Sequence, residues 1–147
     1  MKIVSELIDF QTAQTLDFID ITDSVLGKIS ESGVEKGLVN IQSLHTTLAV
    51  VVNESEPLLI SDMKKTLEES APQSRAYAHD NFAVRTVNMC EDECANGHAH
   101  NKALCLPTSI VLNIVDGKLQ LGQWQRVFVI ELDRPRDRQV ALQIIGV

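Results

Sequence analysis

Two of the four histidines in this chain, His98 and His100, stand two positions apart, while His45 and His79 lie far from them in sequence. Imidazole binds metal ions and moves protons near neutral pH, so the four side chains together predict one site that the fold assembles. On an extended backbone His98 and His100 would face the same side; in a helix they would diverge by about 200°. Separate surface histidines are the alternative.

Polar groups beside these histidines could complete such a site. Asn96 and Lys102 flank the histidine pair, and amide and ammonium groups together suit a phosphate or carboxylate. Asp80 follows His79 and could orient it or act as a base, unless the two form a simple turn. Arg136 lies in the charged segment 133–138, which is either a solvated turn with internal salt bridges or a phosphate clamp.

Hydrophobic periodicity predicts the elements that must position these groups. Strands are expected at 2–10, 16–21, 38–43, 48–52, 109–115, 118–121, 126–132 and 140–147. Helices are expected from 22–24 to Gly33, from about 57 to 69 with Ser55 as the cap, and over 98–106. Residues 70–97 form a long irregular segment, which usually carries function or local order.

This order of elements predicts an α+β fold in one domain, 1–147, with a largely antiparallel β-sheet or sandwich and two or three helices. The Asp116-Gly117 pair between apolar runs indicates a hairpin. Strand 48–52 is continuously apolar, so it should be buried on both faces. Glu131 alternates with Val127 and Val129, so it should face inward and pair with an arginine or hold a histidine.

Composition limits the classes of partner. The formal charge is −7 and the pI is about 5.0, without a basic stripe, which argues against binding to nucleic acid or an anionic membrane. Three cysteines, Cys90, Cys94 and Cys105, fit no secreted disulfide framework, and no signal peptide or membrane span is evident, so we expect a cytoplasmic protein.

The motifs together resemble the YjbQ family. The resemblance spans nearly the whole chain and rests on motifs that follow one another in a specific order: His45-Thr46-Thr47, Asn53-Glu54, Tyr77 with His79-Asp80, Asn96-Gly97-His98-Ala99-His100, Leu121-Gly122-x-Trp124-Gln125 and Glu131-x-Asp133-x-Pro135-Arg136. It implies a small α+β protein that forms a homotrimer, with a histidine cluster able to hold a metal or an anion.

The resemblance also implies a thiamine-phosphate synthase, which joins a hydroxymethylpyrimidine diphosphate to a thiazole phosphate and releases pyrophosphate. We therefore predict a small phosphorylated substrate and a divalent metal such as zinc or magnesium. The predicted roles fall into three groups: catalytic His45, Glu54, Asp80 and Glu131; substrate-binding Thr46, Thr47, Asn96, Lys102, Gln125 and Arg136; and metal-binding His79, His98 and His100.

Two other classes of function are compatible with the same residues. In a metal-dependent hydrolase the histidines would hold a metal that activates water, with Glu54 or Asp80 as the base. In a non-catalytic trimer the site would bind a metal or an anion without turnover.

Overall fold

The computed structural model describes residues 1–147. Its strands and helices, in chain order, are β1 (Lys2–Gln11), β2 (Asp17–Asp20), α1 (Thr22–Ser32), β3 (Lys36–Ser43), β4 (Leu48–Glu54), α2 (Pro57–Ser70), α3 (Gly97–Ala103), β5 (Ser109–Val115), β6 (Lys118–Leu119), β7 (Gln125–Glu131) and β8 (Asp137–Gly146). A 3₁₀ turn, Ala78–Asp80, lies between α2 and α3.

The strands form two antiparallel sheets. One has five strands in the order β1-β8-β3-β5-β6, and the other has three in the order β2-β7-β4. The predicted α+β class with largely antiparallel sheet is confirmed, and the number of helices is three.

The three-stranded sheet is buried on both faces because two cores meet it. Val50 of β4 packs in a core shared by α1 and both sheets, whereas its neighbour Ala49 packs in a second core with Leu67 of α2 and Ala99 of α3. Alternate residues of a strand point to opposite faces, so the continuous apolar run of β4 satisfies both cores. The prediction that this strand is buried on both faces is confirmed.

Helix α2 differs from its prediction in its cap and in its buried face. The side chain of Glu56, not Ser55, caps the helix by accepting from the backbone nitrogens of Leu58 and Leu59. The spacing of Leu58, Leu59, Met63 and Leu67 predicts a buried stripe on this helix. Leu58 is nevertheless 75% exposed, because α2 meets the sheet mainly on the side that carries Leu67. Pro57 occupies the first turn as predicted.

Two predicted turns are confirmed, and each contains a residue with positive φ. Gly33, at φ 62°, ends α1, and Asp116-Gly117, at φ 50° and 70°, joins β5 to β6. These angles are typical of a helix C-terminus and of a two-residue hairpin.

The charged turn before β8 is shorter than the sequence suggests. Strand β8 begins at Asp137, which pairs with Gln11 of β1, so Arg138 belongs to the strand instead of the turn. Helix α3 is likewise shorter than predicted. A helix over 98–106 would turn Leu104 inward with Ala99 and Ala103, but α3 ends at Ala103 and Leu104, just beyond it, is 85% exposed. No helix is both long and apolar enough to cross a membrane.

Candidate functional site

One carboxylate joins the 3₁₀ turn to the start of α3. Asp80 Oδ1 accepts hydrogen bonds from the backbone nitrogens of Asn96, at 3.0 Å, and Gly97, at 2.8 Å. A Cβ at Gly97 would lie 2.5 Å from Cβ of Tyr77, so only glycine allows this approach. Asp80 therefore positions backbone, although the sequence predicted a base or an orienting partner for His79.

This junction brings two of the four histidines together. The rings of His79 and His100 have centroids 4.7 Å apart and an interplanar angle of 64°. Burial and then the neighbouring His79 lower the pKa of His100 below its usual value, so His100 is neutral at pH 7. Imidazoles placed in this way can exchange protons with a bound molecule or donate and accept hydrogen bonds.

His98 points away from that pair because the segment is helical. Its Nδ1 lies 3.2 Å from Nζ of Lys102, one helical turn later, and its side chain is buried. Burial and the Lys102 ammonium lower the pKa of His98. The single chain does not bring His98 and His100 together as expected, since a helix directs residues two apart to different sides.

Lys102 is fully buried and has no donor left for a substrate. Its ammonium contacts Glu68 Oε2 at 2.9 Å, the carbonyl oxygen of Ala71 at 2.7 Å and Nδ1 of His98. An ammonium has three N–H donors, and these three contacts use all of them. In the single chain Lys102 therefore fastens α3 to the end of α2, away from any substrate.

A cleft of about 330 Å³ opens beside the histidine pair. Its lining comes from the irregular segment, from α3, and from the β3–β4 and β7–β8 connections. The lining residues are Thr46, His79, Arg85, Asn88, Cys90, Asp92, Glu93, Asn96, His100 and Arg136. The predicted site residues Thr46, Asn96 and Arg136 thus meet His79 and His100. We call this group the histidine cleft.

Three buried polar atoms of the histidine cleft have no hydrogen-bond partner: His79 Nε2, Asn96 Oδ1 and Arg136 Nε. No other side-chain nitrogen or oxygen in the chain is buried without a partner. Buried polar groups are nearly always paired, so three unpaired ones in one cleft mark a place for a bound molecule or for ordered water.

Asp133 holds two of these groups in place. Its Oδ2 accepts from Nδ2 of Asn96 at 3.1 Å and contacts Nη2 of Arg136 at 3.0 Å, and its carboxylate is buried. Sequence reasoning gave Asp133 only a salt bridge in a solvated turn. The motif Asp133-x-x-Arg136 was visible, but no local signal showed that it would close over Asn96.

Arg85 shapes the outer wall of the cleft and was missed entirely. Its guanidinium donates to the carbonyl oxygens of His79, Val87 and Asn88 and pairs with Glu93 at 3.3 Å. These contacts fold the irregular segment back on itself. An arginine in a polar stretch without periodicity carries no sequence signal for such a role.

The remaining predicted catalytic carboxylate near the site is buried in an ion pair. Glu131, with no exposed surface, bonds Arg138 through both oxygens and also accepts from Thr12 Oγ1. Arg138 donates in turn to Oγ1 of Thr47, at 2.9 Å. Glu131 faces inward and pairs with an arginine, as predicted. Because Arg138 also bonds Thr47, the side chains of Glu131 and Thr47 are engaged within the protein and have a structural role.

His45 lies in a different cleft. Its Nε2 accepts from the backbone nitrogen of Gln139 at 3.0 Å, and it borders an open polar cleft of about 590 Å³ with Asp9, Gln11 and Asp137. Burial and then Arg138 lower the pKa of His45. The expected convergence of His45 on the other histidines does not occur within one chain.

Glu54 and Gln125 lie at the far end of the three-stranded sheet. They pair with each other, whereas the opposite ends of the same strands pair Leu48 with Glu131. The two pairs are six residue steps of strand apart, about 20 Å. The single chain therefore does not bring Glu54 and Gln125 to the histidines, with which they are predicted to form one site, and the Gln125 amide oxygen accepts from the backbone nitrogen of Gly122.

The donor set does not form a resident metal site. No group of three or more His, Cys, Asp or Glu side chains is arranged to hold a metal ion. His79 and His100 supply two imidazoles, His98 is engaged by Lys102, and Asp133 is engaged by Asn96 and Arg136. A closed tetrahedral site needs four such ligands and an open one needs three.

Comparison with known proteins places this geometry in a family. The model of the UPF0047 protein YjbQ-like family matches residues 6–147. A UPF0047 protein of Methanothermobacter thermautotrophicus is 32% identical over 146 residues, which cover 99% of this chain and 94% of the relative. A UPF0047 protein of Archaeoglobus fulgidus is 36% identical over 140 residues, covering 94% and 98%.

Solved structures agree in fold. A YbjQ-like protein of unknown function from Sulfolobus solfataricus has a TM-score of 0.83 and 30% identity, with 99% of this chain and all of that chain covered. An uncharacterized YjbQ/UPF0047 protein from Clostridium acetobutylicum has the same TM-score and 33% identity, covering 95% and 99%. With matches along nearly its whole length, the chain belongs to the YjbQ-like UPF0047 family.

Proposed function

We propose that the histidine cleft is the substrate site of a transferase acting on small phosphorylated molecules, of the thiamine-phosphate synthase type. The observation that carries the proposal is the convergence of three unpaired buried atoms, on His79, Asn96 and Arg136, in one cleft. Such atoms are ready to bind a molecule without first breaking contacts within the protein.

The reaction joins a hydroxymethylpyrimidine diphosphate to a thiazole phosphate and releases pyrophosphate. Negative charge grows on the leaving diphosphate, so donors fixed beside it lower the barrier. The guanidinium of Arg136, which Asp133 holds, brings positive charge to the cleft. The adjacent imidazoles of His79 and His100 can accept or pass a proton during the displacement.

Charge within the cleft is balanced. Arg85 and Arg136 face Asp92 and Glu93, so one chain does not offer the net positive charge that two phosphorylated substrates favour. In the proposal the missing charge comes from a divalent cation that enters with the diphosphate or from a second copy of the chain. No catalytic step is assigned to a resident metal, because the donor set lacks three ligands.

A homotrimer is part of the proposal, and an exposed apolar sheet face supports it. The outer face of the five-stranded sheet exposes Ile3, Leu7, Leu38, Val111 and Ile145, and the strand register places all five on the same side. Apolar patches of this kind on a small protein are usually covered by another chain. Light scattering should give the mass of three chains, and Leu38→Asp should shift it toward one.

A cytoplasmic location is also proposed. Cys90, Cys94 and Cys105 are all free thiols, as expected in a reducing compartment.

The test is a synthase assay with both substrates, run with EDTA, with magnesium and with zinc. Arg136→Ala and His100→Ala should each lower kcat/KM at least about tenfold, since each removes a group at the reacting molecules. Lys65→Ala, on the exposed side of α2, is the matched control and should keep full activity.

Three results would count against the proposal. If the Arg136 and His100 variants turn over substrate as fast as the unaltered protein, the substrate site is not the histidine cleft. Phosphate release without joining of the two substrates would identify a hydrolase, and substrate binding without turnover under every metal condition would identify a binding protein.

A further inference from the structure

The Asn96 side chain has one orientation that its surroundings allow. Nδ2 donates to the Asp133 carboxylate, an acceptor, so rotating the amide would place two oxygens against each other. Oδ1 is therefore the free acceptor of a residue that lines the histidine cleft. Asn96 is only 7% exposed, and this oxygen has no partner.

Arg136 supplies the opposite polarity from the same anchor. Its Nη2 contacts the same Asp133 oxygen that Asn96 bonds, and its Nε is left as an unpaired donor. One buried carboxylate oxygen thus holds two residues of the same cleft, one with a free acceptor and one with a free donor. His79 Nε2, the third unpaired atom, can act as either.

A phosphate monoester does not match this pattern. Its dianion carries only acceptors, so it would satisfy Arg136 and leave the Asn96 oxygen unpaired. It would also bring negative charge toward the carbonyl oxygen of the amide. A buried acceptor without a partner is costly, and sites built to pair with an N–H or O–H group reject analogues that lack it.

We propose that Asn96 is a specificity-determining residue that selects anionic small molecules carrying an N–H donor, of amide or amino type, next to an acceptor atom. The donor bonds Oδ1 of Asn96, and the adjacent acceptor takes the N–H of Arg136 Nε. This inference rests on the proposed function, because it assumes that the histidine cleft binds the substrate.

Three probes of nearly the same size test the inference: phosphonoacetamide, phosphonoacetate and the methyl carboxyl ester of phosphonoacetic acid. All three carry a phosphonate, but only the amide has an N–H beside its carbonyl. Binding is measured by isothermal titration and by the shifts of the histidine Hε1 resonances. In the unaltered protein the amide should bind about fivefold to tenfold more tightly than the ester or the carboxylate, the effect of one hydrogen bond.

Variants then assign the preference to Asn96. Asn96→Ala should bring the ratio of amide to ester affinity to about one. Asn101→Ala is the control: this asparagine lies on the same helix, is exposed and bonds Gly97 O instead of lining the cleft, so the ratio should be unchanged.

The outcomes separate the two proposals. Equal binding of amide and ester by the unaltered protein overturns the inference, and this result needs no variant that folds. A preference that survives in Asn96→Ala overturns the role of Asn96. If none of the probes, inorganic phosphate included, perturbs the histidine resonances, the substrate site itself is wrong, and the synthase proposal fails together with the inference.

Discussion

Asp80 Oδ1 lies 2.8 Å from the backbone nitrogen of Gly97, and this contact joins segments 17 residues apart. The same oxygen also accepts from the backbone nitrogen of Asn96. The two bonds set the start of α3 against the 3₁₀ turn, so that His79 meets His100 and Asn96 faces the histidine cleft. The geometry of the site thus depends on a carboxylate that lies behind it.

Replacing Asp80 should loosen the site as well as the fold. Asp80→Ala removes an acceptor shared by two backbone N–H groups and should lower the free energy of unfolding by about 1–2 kcal/mol. Asp80→Asn keeps a side-chain oxygen and should lose less than half as much. Urea denaturation measures the stability, and histidine Hε1 shifts report the ring pair; equal stability of Asp80→Ala and the unaltered protein would contradict this role.

Lys102→Met should destabilise the chain although it introduces an apolar side chain into a buried position. The ammonium satisfies Ala71 O and Nδ1 of His98, both of which would lose their partner. The free energy of unfolding should fall by about 2–3 kcal/mol. The loss is not larger because the third partner, Glu68, is partly exposed and can be rehydrated.

The chain offers a matched control for Lys102. Lys65→Met alters a lysine that pairs with Asp62 on the exposed surface of α2, and it should change stability by less than about 0.5 kcal/mol. Similar losses in the two variants, measured by urea denaturation, would show that the buried contacts of Lys102 contribute nothing of their own.

Glu131→Ala should be among the most destabilising single substitutions. It leaves the buried guanidinium of Arg138 unpaired, and breaking a buried ion pair costs about 3–5 kcal/mol. Glu131→Gln keeps the shape and one acceptor, so its loss should be intermediate. Glu31→Ala, which breaks an exposed pair with Lys28, should be nearly neutral.

The Glu131→Gln variant also distinguishes a structural role of Glu131 from a catalytic one. Glu131→Gln should keep kcat/KM within about threefold at a temperature where it stays folded, since the carboxylate has no access to the histidine cleft. A loss of activity of a hundredfold or more in a folded Glu131→Gln protein would restore the catalytic role that the sequence predicts.

Stability should fall as the pH drops below about 6.5. Burial lowers the pKa of His45, His98 and His100 from the usual 6.5, so the unfolded chain binds more protons than the folded chain below that pH. Above pH 7 all three are neutral in both states, and their contribution is constant. Urea denaturation between pH 5 and pH 8 should show this decline.

His98→Gln isolates the contribution of one of these three histidines. Glutamine can accept from the Lys102 ammonium without titrating, whereas protonated His98 would face that ammonium at 3.2 Å. The variant should therefore lose less stability between pH 7 and pH 5 than the unaltered protein. An identical pH dependence in both proteins would mean that His98 does not contribute.

Local patterns in the sequence determine most of the elements of this fold. Alternation predicts β1 and β7, the continuous apolar run predicts the doubly buried β4, and Asp116-Gly117 predicts the hairpin of β5 and β6, because these features depend on neighbouring residues alone. The order of motifs also indicates the family, which the comparisons confirm.

Tertiary structure decides which residues form the site. The sequence presents His98 and His100 as a pair, but the helical period separates them and a contact from Asp80 across 17 residues gives His100 a different partner, His79. Arg138 enters a strand and pairs with Glu131, while Arg136 remains at the cleft. Spacing along the chain states which side chains are available, whereas packing over long sequence separations selects the ones that meet.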